Sequence, residues 1–449
     1  MKRSPTDAGA GGGRHSSERT SKNEFLANSR RVISSRVGAL FTSKGIGFRR
    51  LAESHATSVA GDTLIAIALA GTLFFSVPSA QARSNMLLYL LVTLAPFTVL
   101  GPLLGRLFDR FPGAYRLGLA VSSFGRAMVT AAMIGVIDSL LLYPLAFALL
   151  LLSRVHGISR ASLLPVVLPG PHELVTSNAQ LARIGVLVGL AAAAVGALAA
   201  HFVGTWLVLV IATAVLTWSG WSAMGLPSVE MPRWVPGRGS VPARRTNRPL
   251  RLAGFATAGV RSLNGFLLLL VAFAYRDIDA GIFDFGAILV AAGVGFFAAA
   301  VVTPIIEKYV PEEPMMVAAL AVEAAFAFLA GVAFGLPTAA ALAAAAGFAW
   351  GTAKFGFDGL LQATVPAAHR GRAFTYSETL FQIAWVIGAA LPVAIPFPSE
   401  IGLVLAGFVA LFVQLMYVSA LLIPVAKQRR ERYTSTEPAK PRQDVTDLF

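Results

Sequence analysis

The feature that most constrains this chain is a succession of apolar segments, each about as long as a lipid bilayer is thick. A helix crossing the hydrocarbon core needs about 20 mostly apolar residues, because its backbone bonds must all be satisfied internally. Twelve segments meet that condition, at 51–76, 86–105, 117–137, 140–161, 180–200, 202–226, 252–275, 284–306, 315–336, 337–361, 378–396 and 401–425. Met86–Gly105, Phe202–Leu226 and Ile401–Val425 contain no Asp, Glu, Lys or Arg. Alternation of polar and apolar residues over ten-residue stretches is absent, so the spanning element is the helix and not the barrel strand. The chain is 56% hydrophobic and 13% charged, whereas a soluble domain carries about 25% charged residues to cover its surface. That deficit excludes a soluble enzyme. The absence of cysteine excludes a disulfide scaffold and a thiolate metal site.

The placement of charge predicts the topology. Of 37 Lys and Arg residues, 1–50 holds eleven, 227–251 holds six and 427–449 holds another six. An even number of spans puts all three segments on one side. The short connections agree: Arg106, Arg110, Arg116, Arg160, Lys308, Arg370 and Arg372 fall on that side, against Arg83 and Arg276 on the other. The ratio is thus 30 to two, with five bases inside spans, which the positive-inside rule reads as both termini in the cytoplasm. The expected organisation is a disordered basic tail (1–50), a six-helix bundle (51–226), a basic cytoplasmic linker (227–251), a second six-helix bundle (252–425) and a cytoplasmic tail (426–449). No apolar signal region follows the basic start, and Val32–Phe48 is expected to lie as a basic amphipathic helix on the anionic leaflet. Topology accounts for the excess positive charge, so no nucleic-acid partner is expected.

Six spans on either side of the linker suggest an internal repeat. A shift of about 200 residues sets Leu107-Phe108-Asp109-Arg110-Phe111 against Ile305-Ile306-Glu307-Lys308-Tyr309, Arg154 against Lys354, and Asp62 against Asn264. Two such halves, related by an axis along the membrane normal, are a transporter architecture with the substrate site between them. The connection Gly101-Pro102-Leu103-Leu104-Gly105-Arg106-Leu107-Phe108-Asp109-Arg110-Phe111-Pro112-Gly113 resembles the hallmark loop of the major facilitator superfamily, G-x-x-x-D-R-x-G followed by basic residues. Here Pro112 displaces the glycine by one position, and Ala114-Tyr115-Arg116 replaces the usual basic pair. The resemblance implies an all-α membrane fold of twelve helices in two pseudo-symmetric bundles. It also implies a cytoplasmic gate made by Gly101, Gly105, Asp109 and Arg110, with Arg154 meeting Asp109. Gly61-Asp62-Thr63-Leu64 and Arg370-Gly371-Arg372-Ala373-Phe374 are similar to tracts of the bacterial drug-efflux branch. Gly185, Gly189 and Gly196 stand where proton-coupled exporters carry a glycine motif, without its Gly-Pro and Gly-Gly steps.

An ionisable side chain inside a span costs about 2.5–3.5 kcal/mol on insertion scales, so each needs a partner or a task. Asp62, near mid-depth of the first span, and Glu323, in the ninth, are the proton-coupling candidates, since a carboxylate held away from water can load and release a proton. Arg126 at similar depth can pair with Asp62 or meet an anionic substrate. Arg261 and Asn264 share a face of the seventh span and are candidates for polar substrate contact. Lys354 and Asp358, four apart, can neutralise each other, and Lys354 is also a cavity candidate. Phe381 and Trp385 share a face and can line a cavity for an apolar solute. No G-x-x-x-x-G-K-[ST] phosphate loop occurs, which disfavours a primary pump. These readings converge on a monomeric secondary transporter in the cell membrane. Its expected partners are lipid, protons and a small apolar or amphipathic compound, exported without a cofactor. A polytopic membrane enzyme and a non-transporting scaffold are the alternatives; the chain lacks the histidine–carboxylate cluster and long loops that an enzyme site would need.

Overall fold

The computed structural model describes residues 44–69 and 114–434, apart from 138, 140, 169–172, 227–242, 278–281, 308, 310–311 and 396. Among the described residues the chain is helical throughout: α1 (Gly45–Leu69), α2 (Tyr115–Met133), α3 (Leu142–Val167), α4 (Leu174–Phe202), α5 (Thr205–Met224), α6 (Ala243–Asp277), α7 (Ile282–Ile306), α8 (Glu312–Val332), α9 (Leu336–Thr364), α10 (Ala367–Ala394) and α11 (Ser399–Thr434). Each coincides with one expected span. The remaining expected span, 86–105, and the gate residues Gly101, Gly105, Asp109 and Arg110 lie outside the described residues. By length and composition, α3 through α11 are long and apolar enough to cross a membrane.

The weakest sequence boundary, where two apolar runs nearly touch, is resolved by local hydrogen bonding. The Thr338 hydroxyl accepts the Gly335 N–H at 3.2 Å and donates to the Ala333 carbonyl at 2.6 Å. One side chain thereby ends α8 and starts α9, satisfying backbone groups that a helix end leaves open.

The helices fall into two packing groups. In one, α1 lies against α4 and α5, and α2 against α3 and α5. In the other, α7 packs on α9, α6 on α10, and α8 on α9 and α11. Glycine permits the closest of these crossings. A Cβ at Gly295 would fall on the Ala344 carbonyl, and one at Gly347 on the Ala292 carbonyl, so α7 and α9 touch backbone to backbone. Gly265 against Trp385 and Gly388 against Ser262 do the same for α6 and α10. Small residues are how membrane helices approach when lipid is as apolar as they are. Large apolar side chains such as Leu190, Trp221, Phe408 and Phe412 face outward, as a surface bathed in acyl chains requires.

The groups meet along α3 and α4 on one side and α7, α9 and α10 on the other. Their hydrogen bonds gather at one end. Asn178 donates to Gln362 Oε1 at 2.7 Å, Gln362 donates to the Ala161 carbonyl at 2.8 Å, and the Gly371 N–H donates to the Tyr115 hydroxyl at 3.0 Å. Val175 and Ala179 pack with Ala299, Ala300 and Phe355 at the same level. This is the end that the charge pattern assigns to the cytoplasm.

Two expectations need correction. Phe48 does not lie on a lipid surface: it is fully buried in the core, because α1 begins at Gly45 and is anchored by Lys44, which pairs with Glu173 at 3.0 Å and donates to Ser177. Arg160 is not a loop residue, since α3 continues to Val167. Within the segment 227–251 expected as a linker, α6 begins at Ala243.

Candidate functional site

On the far side of the inter-group hydrogen bonds, α3, α6, α9 and α10 enclose a cavity of about 290 Å³. Four bases line it, Arg154 and Arg160 from α3, Arg261 from α6 and Lys354 from α9. Two acids do so as well, Asp358 from α9 and Glu378 from α10. Helical spacing explains this convergence. Lys354 and Asp358 lie one turn apart on α9, and Lys354 reaches Asp358 at 2.7 Å and Glu378 at 2.5 Å. The lysine therefore bridges two helices of the second group and uses two of its three donors. Arg261 is held differently. Its guanidinium stacks over Trp350, 4.5 Å from the ring centroid, and lies 5.8 Å from Trp385. An arginine supported by aromatic faces keeps its planar donors free for a ligand. Phe381 packs edge-on to Phe357 and Trp350 beneath Lys354. With four cations against two anions, the cavity has an excess of positive charge in a confined, weakly screened space.

The first group contributes a second charged pair. Arg126, fully buried on α2, donates through Nη1 to both Asp62 oxygens at 2.8 and 3.0 Å. Its Nη2 donates to Ser58 and its Nε to the Ser122 carbonyl. The Ser153 hydroxyl donates to Asp62 Oδ2 at 3.2 Å, and Ser153 lines the cationic cavity. The Asp62 side chain is 40% exposed, and its bond to Ser153 ties it to the cavity wall. A neighbouring seam of Ser54, Ser123, Ser219 and His156 ties α1, α2, α3 and α5 together by buried hydrogen bonds.

The other candidates are more scattered. Glu323 is buried on α8, neither carboxylate oxygen has a hydrogen-bond partner, and it lines neither cavity. Asn264 lines an adjoining apolar cavity, its Nδ2 3.5 Å from the Ala346 carbonyl and its Oδ1 buried and unpartnered. Trp385 borders that apolar cavity as well, so Phe381 and Trp385, one helical turn apart, serve different spaces. Arg154 stands on the cavity wall, while its expected partner Asp109 is outside the described residues.

Sequence reasoning did not select Glu378, Arg160 or Trp350 for the site. Glu378 was visible as a carboxylate at the start of an apolar run, and Arg160, one residue inside the expected span 140–161, reads as a base of the following connection. Among the described residues, no group of three or more His, Asp or Glu side chains gathers as metal ligands would.

Comparison with known proteins places the chain. No family model matches the sequence. It is 31% identical over 422 residues to the uncharacterized protein ML2143 of Mycobacterium leprae (strain TN), an alignment spanning 84% of this chain and 70% of that protein. The chain belongs to the ML2143 family. A second relative, the uncharacterized protein Rv0876c of Mycobacterium tuberculosis (strain H37Rv), is 35% identical over 194 residues, 40% of this chain and 34% of that protein. Among solved structures, a bacterial homologue of the iron transporter ferroportin in an outward-facing state superposes with a TM-score of 0.63 at 15% identity, covering 83% of this chain and 98% of that one. The major facilitator superfamily transporter FucP in its outward conformation gives 0.61 at 14% identity, covering 82% and 97%. The human organic anion transporter MFSD10 gives 0.56 at 14% identity, covering 83% and 99%. This ML2143-family chain therefore has the major facilitator fold.

Proposed function

We propose that this protein is a secondary transporter that binds a small organic anion in the cavity between its helix groups and moves it by alternating access across the cell membrane, acting as a monomer with both termini in the cytoplasm. One observation carries the reading. The inter-group cavity is lined by four bases and two acids, and one of the bases, Arg261, stacks over Trp350. A wholly apolar substrate would leave those charges desolvated without return, so an amphipathic anion fits the cavity better. The organic anion transporter MFSD10 shares the fold, which accords with this reading without carrying it.

Proton coupling is assigned to Asp62. Protonation removes the charge that holds Arg126 and draws the Ser153 hydroxyl, so it loosens α1 from α2 and α3 at the cavity wall. Glu323, away from both cavities, is left outside the coupling step. Export is the direction implied by the drug-efflux resemblance.

The test is flux in proteoliposomes with an imposed pH gradient, using a panel of small anions, cations and neutral compounds. Arg261→Gln and Lys354→Gln are expected to lower anion flux at least about tenfold, the size expected when a charge-assisted contact of about 1.5–3 kcal/mol is lost. Asp62→Asn is expected to remove the response to the gradient, and Glu323→Gln to retain it. Preference for cations or neutral compounds, or full flux in both cavity variants, would reject the anion reading. A gradient response that survives in Asp62→Asn would reject the coupling assignment.

A further inference from the structure

The cationic cavity has a neighbour that the anion-binding reading leaves unused. Arg261 and Trp350 line both spaces, so the two adjoin at that point. Beyond them an apolar cavity of about 660 Å³ runs between α6 and α7, which both pack on α9 and hardly touch each other. Along α6 it extends from Arg261 to Ala272, about 16 Å at the helical rise. Apart from Arg261 and Asn264, its walls are aliphatic and aromatic, with Leu267, Leu289 and Leu342 on three different helices. Both volumes are of the order of small-molecule sites, about 300–1,000 Å³. Asn264 Oδ1 sits one turn past Arg261, buried, with no hydrogen-bond partner. Such an acceptor is costly unless an occupant supplies a donor.

We propose that the apolar cavity is a second subsite that takes the hydrocarbon chain of a single-chain amphiphile, whose anionic head rests among Arg154, Arg261 and Lys354. A hydroxyl or N–H between head and chain would satisfy Asn264 Oδ1. The proposal rests on the anion-binding reading and narrows it to carboxylate- or phosphate-headed compounds with one apolar tail. Its physical basis is adjacency: charge ends at Arg261, and beyond it the walls, Asn264 apart, reward apolar surface.

The test is equilibrium binding to the full chain in nanodiscs of zwitterionic lipid, using acetate, butyrate, hexanoate, octanoate and decanoate, the matching alkyl phosphates, and the matching alcohols. Affinity is expected to rise about fourfold per added methylene along the anion series, and the carboxylate and phosphate arms show which head is preferred. Gly293→Phe is expected to fill the subsite, because Gly293 lines it and a Cβ there has room. Ala343→Phe, on the opposite wall, is the second variant, and thermal unfolding reports whether each folds. In either variant decanoate affinity is expected to fall by about tenfold or more, while acetate binding stays within about twofold. Anion binding without chain-length dependence overturns the subsite and leaves the anion reading standing. Chain-length dependence that persists unchanged in a folded variant overturns it too, because the tail then lies elsewhere. Alcohols binding as tightly as the anions overturn the headed amphiphile. If no member of either anion series binds, both readings fail together.

Discussion

Arg126 and Asp62 form one ion pair in two environments. The guanidinium is fully buried and uses three nitrogens on Asp62, Ser58 and Ser122, whereas the carboxylate is 40% exposed. Removing one partner of a buried pair costs about 3–5 kcal/mol when the charge left behind cannot reach water. The two truncations are therefore unequal. Asp62→Leu leaves a buried guanidinium without its counter-ion and is expected to lower thermal stability by most of that amount. Arg126→Leu leaves a carboxylate that is part exposed and still accepts from Ser153, and is expected to cost clearly less. Unfolding of the two variants side by side in one detergent checks the order; equal losses would mean that Asp62 is as dry as its partner.

At the scale of the helix, two glycines of α7 separate packing from propensity. Alanine is favoured over glycine in a helix interior by about 1 kcal/mol. At Gly293 a Cβ enters open space, so Gly293→Ala is expected to be neutral or mildly stabilising. At Gly295 a Cβ would fall on the Ala344 carbonyl, and the α7–α9 crossing must spread to admit it. Overpacking of this kind costs about 1–3 kcal/mol, which exceeds the propensity gain. Gly295→Ala is thus expected to lower the unfolding temperature of the purified protein while Gly293→Ala does not. Equal effects would mean that the two helices can part without penalty.

For the whole molecule, what matters is that the two helix groups are hydrogen-bonded at one end. The Asn178–Gln362 and Tyr115–Gly371 contacts, with Gln362 on the Ala161 carbonyl, join them below the cavity. These bonds are uncharged, so they can form and break without stranding a charge away from water. Alternating access through this site requires them to open in each cycle. The chain has no native cysteine, so an Asn178→Cys/Gln362→Cys pair can be cross-linked with a short thiol-reactive reagent without side reactions. Cross-linking is expected to abolish flux, and a cleavable reagent to restore it on reduction; undiminished flux in fully cross-linked protein would show that this end does not gate.

Much of the helical layout was legible in the chain because lipid leaves few choices. A backbone in hydrocarbon must bond to itself, so apolar length alone marks Phe202–Leu226 and Ile401–Val425 as spans, and α5 and α11 are found there. The pairing of Lys354 with Asp358 was legible for a similar reason, since four residues make one turn. Boundaries that charge disguised were harder. Arg160 reads as the end of a span, yet α3 carries it onto the cavity wall, because a base facing a cavity that also holds acids avoids the lipid penalty. The sequence by itself determined which segments are apolar enough to cross the membrane and predicts which side collects the basic residues, since both follow from local transfer energies. Only the tertiary structure decided that Arg154, Arg261, Lys354 and Glu378, from four helices, share one cavity while Glu323 stands apart from it. That grouping depends on which helix faces turn toward each other, and the choice is made by close crossings such as Gly295 on Ala344, which no hydropathy pattern encodes.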